Sequence, residues 1–164
     1  MKLRLLVCFT IFLLTIRSTN LVLAMDAAAV DLKIKLAAES LLKSDNSELE
    51  AQRGFKALVE AIALTAPESG YPAEFGKKIS DAKKCFESGS ITDEKGIALL
   101  KDSFLLINAG KEFRAPAGIS SIEQAVEYCR KQIEFARGSL KQGKIDKCAK
   151  ALLEVALMVT TPMM

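Results

Sequence analysis

The residues best suited to chemistry are Cys85, Cys129 and Cys148, the three of four cysteines that follow the apolar start holding Cys8, in a chain that has no histidine. Thiolates attack electrophiles, hold soft metals or pair as disulfides. Without imidazole, the His-based triads, the C-x-x-C-H haem attachment and the usual Zn and Cu sites are excluded. Gly-rich phosphate loops are absent too. Carboxylates remain for acid–base work, but those that can be placed lie beside lysines on helical stripes, where solvated i,i+4 pairing occupies them. We therefore assign no catalytic residue, and expect no cofactor and no metal site.

Helix spacing sorts the thiols. Cys85 falls about one turn from the end of a third helix, and Cys148 falls in the first turn of a sixth. Both are expected at one end of the molecule. Cys129 lies about 18 Å along a fifth helix, at roughly 1.5 Å per residue. A disulfide needs Cα atoms within about 7 Å. If an intrachain bridge forms, it is expected between Cys85 and Cys148, with Cys129 a core thiol. The alternative is three buried, small apolar side chains.

A second group has binding character. The connections ESGYPAEFGK (68–77) and GKEFRAPAG (110–118), with the tail TTPMM, are expected at one end of an up-and-down array. That end would gather Tyr71, Phe75, Phe113, Arg114, Met163 and Met164. Aromatic, Arg and Met side chains are the types enriched in interface cores. The plainer reading has Phe75 and Phe113 plugging the core, with Tyr71 shielding them.

Six helical segments position these residues. Val30, Ile34, Ala37 and Leu41 repeat at steps of four and three, one face of a first helix that ends at Ser44-Asp45-Asn46. Ser47 and Glu50 form a capping box for a second helix, whose stripe is Phe55, Leu58, Val59 and Ile62 and which Pro67 stops. The third carries Phe75, Ile79, Ala82 and Phe86 and ends at Gly89; the fourth starts at Thr92 and carries Ile97, Leu100, Phe104 and Ile107. The fifth opens on Ser120 and Glu123 and carries Ile122, Val126, Cys129, Ile133, Ala136 and Leu140; Gly143 closes it, and the sixth begins at Asp146. FESGSIT (86–92) and LKQGKID (140–146) share one turn pattern: a left-handed Gly, then an N-capping Thr or Asp.

KALVEAIALTAP (56–67), KGIALLKDSFLLINAG (95–110) and KALLEVALMVTTP (150–162) are nearly apolar all round and read as the buried second helices of three antiparallel hairpins. Their spacing is too long and uneven for a tetratricopeptide array, and that repeat's Trp, Leu-Gly and Tyr landmarks are missing. The expected fold is all-α: six helices as three antiparallel hairpins, in an up-and-down bundle or a short solenoid-like array.

The chain begins with Lys2 and Arg4, an apolar run from Leu5 to Ile16, and Val22-x-Ala24. That is the order of an export signal, and the run is short of the roughly 20 residues that span a bilayer. We expect a signal peptide over 1–24 and one helical domain over 25–164, with a periplasmic or secreted location and no membrane span in the mature chain. Removing Lys2, Arg4 and Arg17 from the 23 basic residues leaves 20, equal to the 20 acidic ones. A mature chain of zero net charge offers no basic face for nucleic acid. The expected function is an exported, non-enzymatic binding or accessory module for a protein or peptide. The alternative is a carrier of a small apolar ligand within the bundle, and the third reading is a carboxylate- or thiol-dependent enzyme.

Overall fold

The computed structural model describes residues 27–42 and 47–161. The expected signal at 1–24, the Ser44-Asp45-Asn46 turn, Met163 and Met164 lie outside the described residues. The described chain is all-helical: α1 (27–41), α2 (Glu48–Thr65), α3 (Ala73–Ser88), α4 (Glu94–Ile107), α5 (Ile122–Lys141) and α6 (Ile145–Thr160). A single 3-10 turn, Ala66–Glu68, with Pro67 inside it, ends α2. Among the described residues there is no strand, and no helix long and apolar enough to cross a membrane.

The apolar stripes behave as their periodicity dictates. Phe75, Ile79, Ala82 and Phe86 are the buried residues of α3. Phe55, Leu58, Val59 and Ile62 are all buried on α2. Buried side chains from all six helices form one cluster. Helix α6 sits at its centre, packed against α2, α4 and α5, and buries Leu152, Leu153, Val155, Ala156 and Leu157 among others. Helix α2 packs on α3, and α3 on α4. On the other side, Lys33 pairs with Glu60 at 2.7 Å to hold α1 on α2, and Arg137 pairs with Asp31 at 2.8 Å to tie α5 to α1. The α2–α6 pair is thus a shared wall between two four-helix groups. Helix α4 departs from its expectation of burial all round: Ile97, Leu99 and Ile107 are only half-buried.

Helix direction follows from a few long-range contacts. Lys78 of α3 reaches Asp102 of α4 at 3.2 Å, so these two run antiparallel. The Tyr71 hydroxyl, just before α3, donates to the Asp146 carbonyl at the start of α6 (2.9 Å). The link after α2 therefore lies beside the α5–α6 turn, not at the opposite end as expected. Lys150, early in α6, donates to Asn108 at the end of α4 (3.0 Å). Helix α5 returns antiparallel to α6, so it starts at the far end from Asn108. Residues 108–121 must then run the length of the bundle, and α4 and α5 are parallel. This crossover, rather than a tip-to-tip turn, makes the functional candidate described below.

Caps refine the helix starts. Ser47 and Glu50 form the expected capping box. At α4 the cap is Asp93, whose carboxylate accepts from Gly96 N (2.7 Å), one residue later than Thr92. At α5 the box is Ser121 with Gln124, one residue later than Ser120 with Glu123. The buried phase of α5 is Ala125, Cys129, Ile133, Ala136 and Leu140, which leaves Ile122 67% exposed. At α6, Asp146 lies inside the first turn and no side chain caps the helix. Gly143 has the expected left-handed backbone (φ 69), whereas Gly89 is extended (φ −127).

The α1 tie is testable. Hydrogen bonding from Arg137 and then Lys35 holds the Asp31 carboxyl below its ordinary value, against the opposing effect of burial. Arg137→Ala should cost about 1 kcal/mol, at the upper end for a half-exposed pair. The loss should appear as faster amide exchange across 27–41 with little change in α3 or α4. Because the Asp31 pKa is depressed, the pair contributes above the unfolded carboxyl pKa, and its contribution is lost as pH falls through the folded value.

Candidate functional site

An open cleft of about 690 Å³ lies beneath the start of the crossover. Its residues come from three parts of the chain: Phe104 and Asn108 from the end of α4, residues 110–114 from the crossover, and Tyr128 and Glu154 from α5 and α6. The crossover is held there by Phe113, whose ring meets Phe104 edge-on, with centroids 5.5 Å apart. Edge-to-face contact between rings is favourable beyond simple burial. Arg114 and Lys111 line the same cleft and are exposed.

On the floor, the Tyr128 hydroxyl donates to Glu154 Oε2 (3.0 Å). Burial first, then the Glu154 carboxylate, pushes the Tyr128 hydroxyl well above its ordinary pKa. It is therefore a protonated donor at neutral pH, and Glu154 accepts from a neutral partner. Lys150, one helical turn before Glu154, sits beside the cleft. Its ammonium donates to Asn108 Oδ1 at 3.0 Å and lies 6.0 Å from the Phe104 ring centroid. Among the described residues, neither Lys150 nor Glu154 is in an ion pair within 4.0 Å. Two opposite charges at helical i,i+4 spacing, a spacing at which they can pair, are instead each tied to a neutral group.

The residues singled out in the sequence separate into two places. Phe113 and Arg114 line the cleft. Phe75 is fully buried, and Tyr71 packs edge-on against it, centroids 5.1 Å apart, while its hydroxyl donates to the Asp146 carbonyl in the first turn of α6. Tyr71 and Phe75 thus serve the core, as the plainer reading had it. Phe104, Tyr128, Lys150 and Glu154 escaped assignment as site residues. One signal was present: Lys147, Lys150 and Glu154 form a narrow polar stripe on a nearly apolar helix, and such a stripe on a central helix must face an opening.

Among the described residues, Cys85, Cys129 and Cys148 are free thiols. Cys85 is in the last turn of α3, and Cys148 is in the first turn of α6. Since α3 and α6 start side by side at Tyr71 and Asp146, about 18 Å of helix separates Cys85 from that end. The Cys85–Cys148 pairing is therefore not formed; the expectation placed the α3–α4 and α5–α6 turns at one end, and they are at opposite ends. Burial raises the Cys129 thiol to about 11 and the Cys148 thiol to about 12, so both are protonated and inert at neutral pH. Among the described residues no group of three or more Cys, Asp or Glu side chains converges as metal ligands.

Two smaller clefts flank α1. One of about 440 Å³ has Leu36 and Leu49 among Lys33, Arg53 and Lys56. The other, about 300 Å³ and mainly apolar, lies between Val30, Leu64, Leu140 and Ile145. No family model matches this chain, and no curated protein or solved structure matches it.

Proposed function

We propose that this protein is an exported helical binding module that engages a protein or peptide through the cleft under residues 108–121, without catalysing a reaction on it. The observation that supports it is the cleft itself: two half-buried aromatic side chains, Phe113 and Tyr128, backed by the buried Phe104 ring, beside Glu154 and Arg114. Aromatic and Arg side chains in a desolvated pocket are the usual anchors of binding energy. The volume falls within the roughly 300–1,000 Å³ of ligand sites. Export rests on the basic start, apolar run and Val22-x-Ala24 of the first residues. A carrier of a small apolar ligand is the second reading, favoured by the apolar cleft beside Val30 and Leu64.

The test is quantitative capture of a partner from the exported fraction of the host by wild-type protein and by single variants. Phe113→Ala and Arg114→Ala should each weaken retention roughly tenfold or more, with helix content unchanged. Leu49→Ala, in the cleft between α1 and α2, should retain the partner as wild type does. Equal retention by all four proteins contradicts the cleft. A bound apolar molecule seen by native mass spectrometry, lost on a Leu64 substitution, selects the carrier instead.

A further inference from the structure

Resting on that reading, we infer that the cleft takes a short peptide with open termini, a ligand carrying both a free ammonium and a free carboxylate around an apolar body. The inference comes from the unmade ion pair on α6. Lys150 and Glu154 stand one turn apart on a helix that is otherwise almost wholly apolar in this stretch. Such neighbours can pair across the turn, though more weakly in this Lys-before-Glu order than in the reverse. Here the Tyr128 hydroxyl draws Glu154 one way, and Asn108 with the Phe104 ring draws Lys150 the other. The result is a carboxylate lining the cleft and an ammonium held beside it, each bonded to a neutral partner and each able to take a stronger, charged one.

The surroundings complement such a ligand. Glu154 is half-buried at the floor, where a charge-assisted hydrogen bond is stronger than in water. Lys150 is half-buried beside it, and Arg114 and Lys111 line the same opening, so a ligand carboxylate meets several cations. Phe113, backed by the buried Phe104, and Tyr128 supply ring surface for an apolar side chain. A purely cationic ligand would meet those three cations unshielded, and a purely anionic one would meet Glu154 and the nearby Glu112. A zwitterion satisfies both signs.

The test is titration of the isotopically labelled protein, followed by amide chemical shifts, with leucine, the dipeptide Ala-Leu, its N-acetyl form, its C-terminal amide and the doubly blocked form. Ala-Leu should shift amides of 110–114 and those flanking Tyr128 and Glu154. Each single block should weaken binding roughly tenfold, as expected for loss of one charge-assisted bond. Glu154→Gln should remove the penalty for N-acetylation while leaving the penalty for C-terminal amidation. Ala-Leu binding better than leucine supports the peptide, and leucine binding as well as Ala-Leu overturns it in favour of a free amino acid. Equal binding of free and doubly blocked dipeptides overturns the inference but leaves the cleft a binding site. Absence of any shift in cleft residues, with every probe, overturns the inference; the cleft's role in partner binding is then judged by the Phe113 and Arg114 variants.

Discussion

Phe86→Ala lowers the unfolding free energy by about 3–5 kcal/mol, the range for removing a buried ring. The fall in Tm is on the order of 10–20 °C for a domain of this size. Phe86 is 1% exposed and meets Phe55 edge-on at 4.9 Å, so its ring joins α3 to α2. It also fixes α4. A Cβ added at Gly96 would lie 2.5 Å from Phe86 Cζ and 2.8 Å from Cε1, so the ring occupies the space a side chain there would need. Gly96→Ala inside an ordinary helix would stabilise by about 1 kcal/mol. Here it should destabilise by about 1–3 kcal/mol, because a ring locked against Phe55 cannot withdraw. Combining Gly96→Ala with Phe86→Leu should cost less than the sum of the two by about 0.5–3 kcal/mol. Urea denaturation of the four proteins checks this, and a stabilising Gly96→Ala would contradict the α3–α4 packing.

Alkaline pH should unfold the protein steeply. Burial raises the Cys129 thiol to about 11 and the Cys148 thiol to about 12, from 9.0 in an exposed thiol. Tyr71 and Tyr128 are shifted in the same direction by burial and then by neighbouring carboxylates. In all four the folded pKa is raised, so the unfolded chain releases protons first. Their contribution is complete below about pH 9 and is lost as pH rises through the thiol values. Each group removes up to about 1.4 kcal/mol per pH unit over its window. Between pH 8.5 and 11 the two thiols together remove several kcal/mol, a large part of an ordinary domain's stability of roughly 5–15 kcal/mol. Denaturation midpoints measured across that range should fall, and the Cys129→Ala/Cys148→Ala variant should show a shallower fall. A wild-type slope equal to the variant's would mean the two thiols are not buried.

The helices were legible because burial on one side imposes a period, and Phe75, Ile79, Ala82 and Phe86 keep it without interruption. The capping box at Ser47 and Glu50 was legible because both partners sit at fixed spacing. The start of α5 was displaced by one residue because Ser120-Ser121 followed by Glu123-Gln124 offers two overlapping boxes, and only the phase of Ala125 and Cys129 chooses between them. The direction of α5 was not legible. A link of about a dozen residues can turn a tip or cross the bundle, and nothing local to 108–121 distinguishes the two. That one ambiguity placed both tight turns at a single end, and so brought Cys85 toward Cys148. Phe113 and Arg114 were legible as exposed binding types in a connection; their companions Tyr128 and Glu154 became visible only once the crossover brought α4, α5 and α6 to one opening.

The measurement closest to the central claim is the set of proton–proton contacts made by the Phe113 ring in the free protein. Strong cross-peaks from Phe113 to Phe104, together with upfield-shifted ring protons, are expected from centroids 5.5 Å apart in edge-on contact. They would establish that the crossover closes a cleft over α4. A Phe113 ring with solvent-like shifts and no contact to Phe104 would leave 108–121 unattached there, and the cleft with its binding role would be gone.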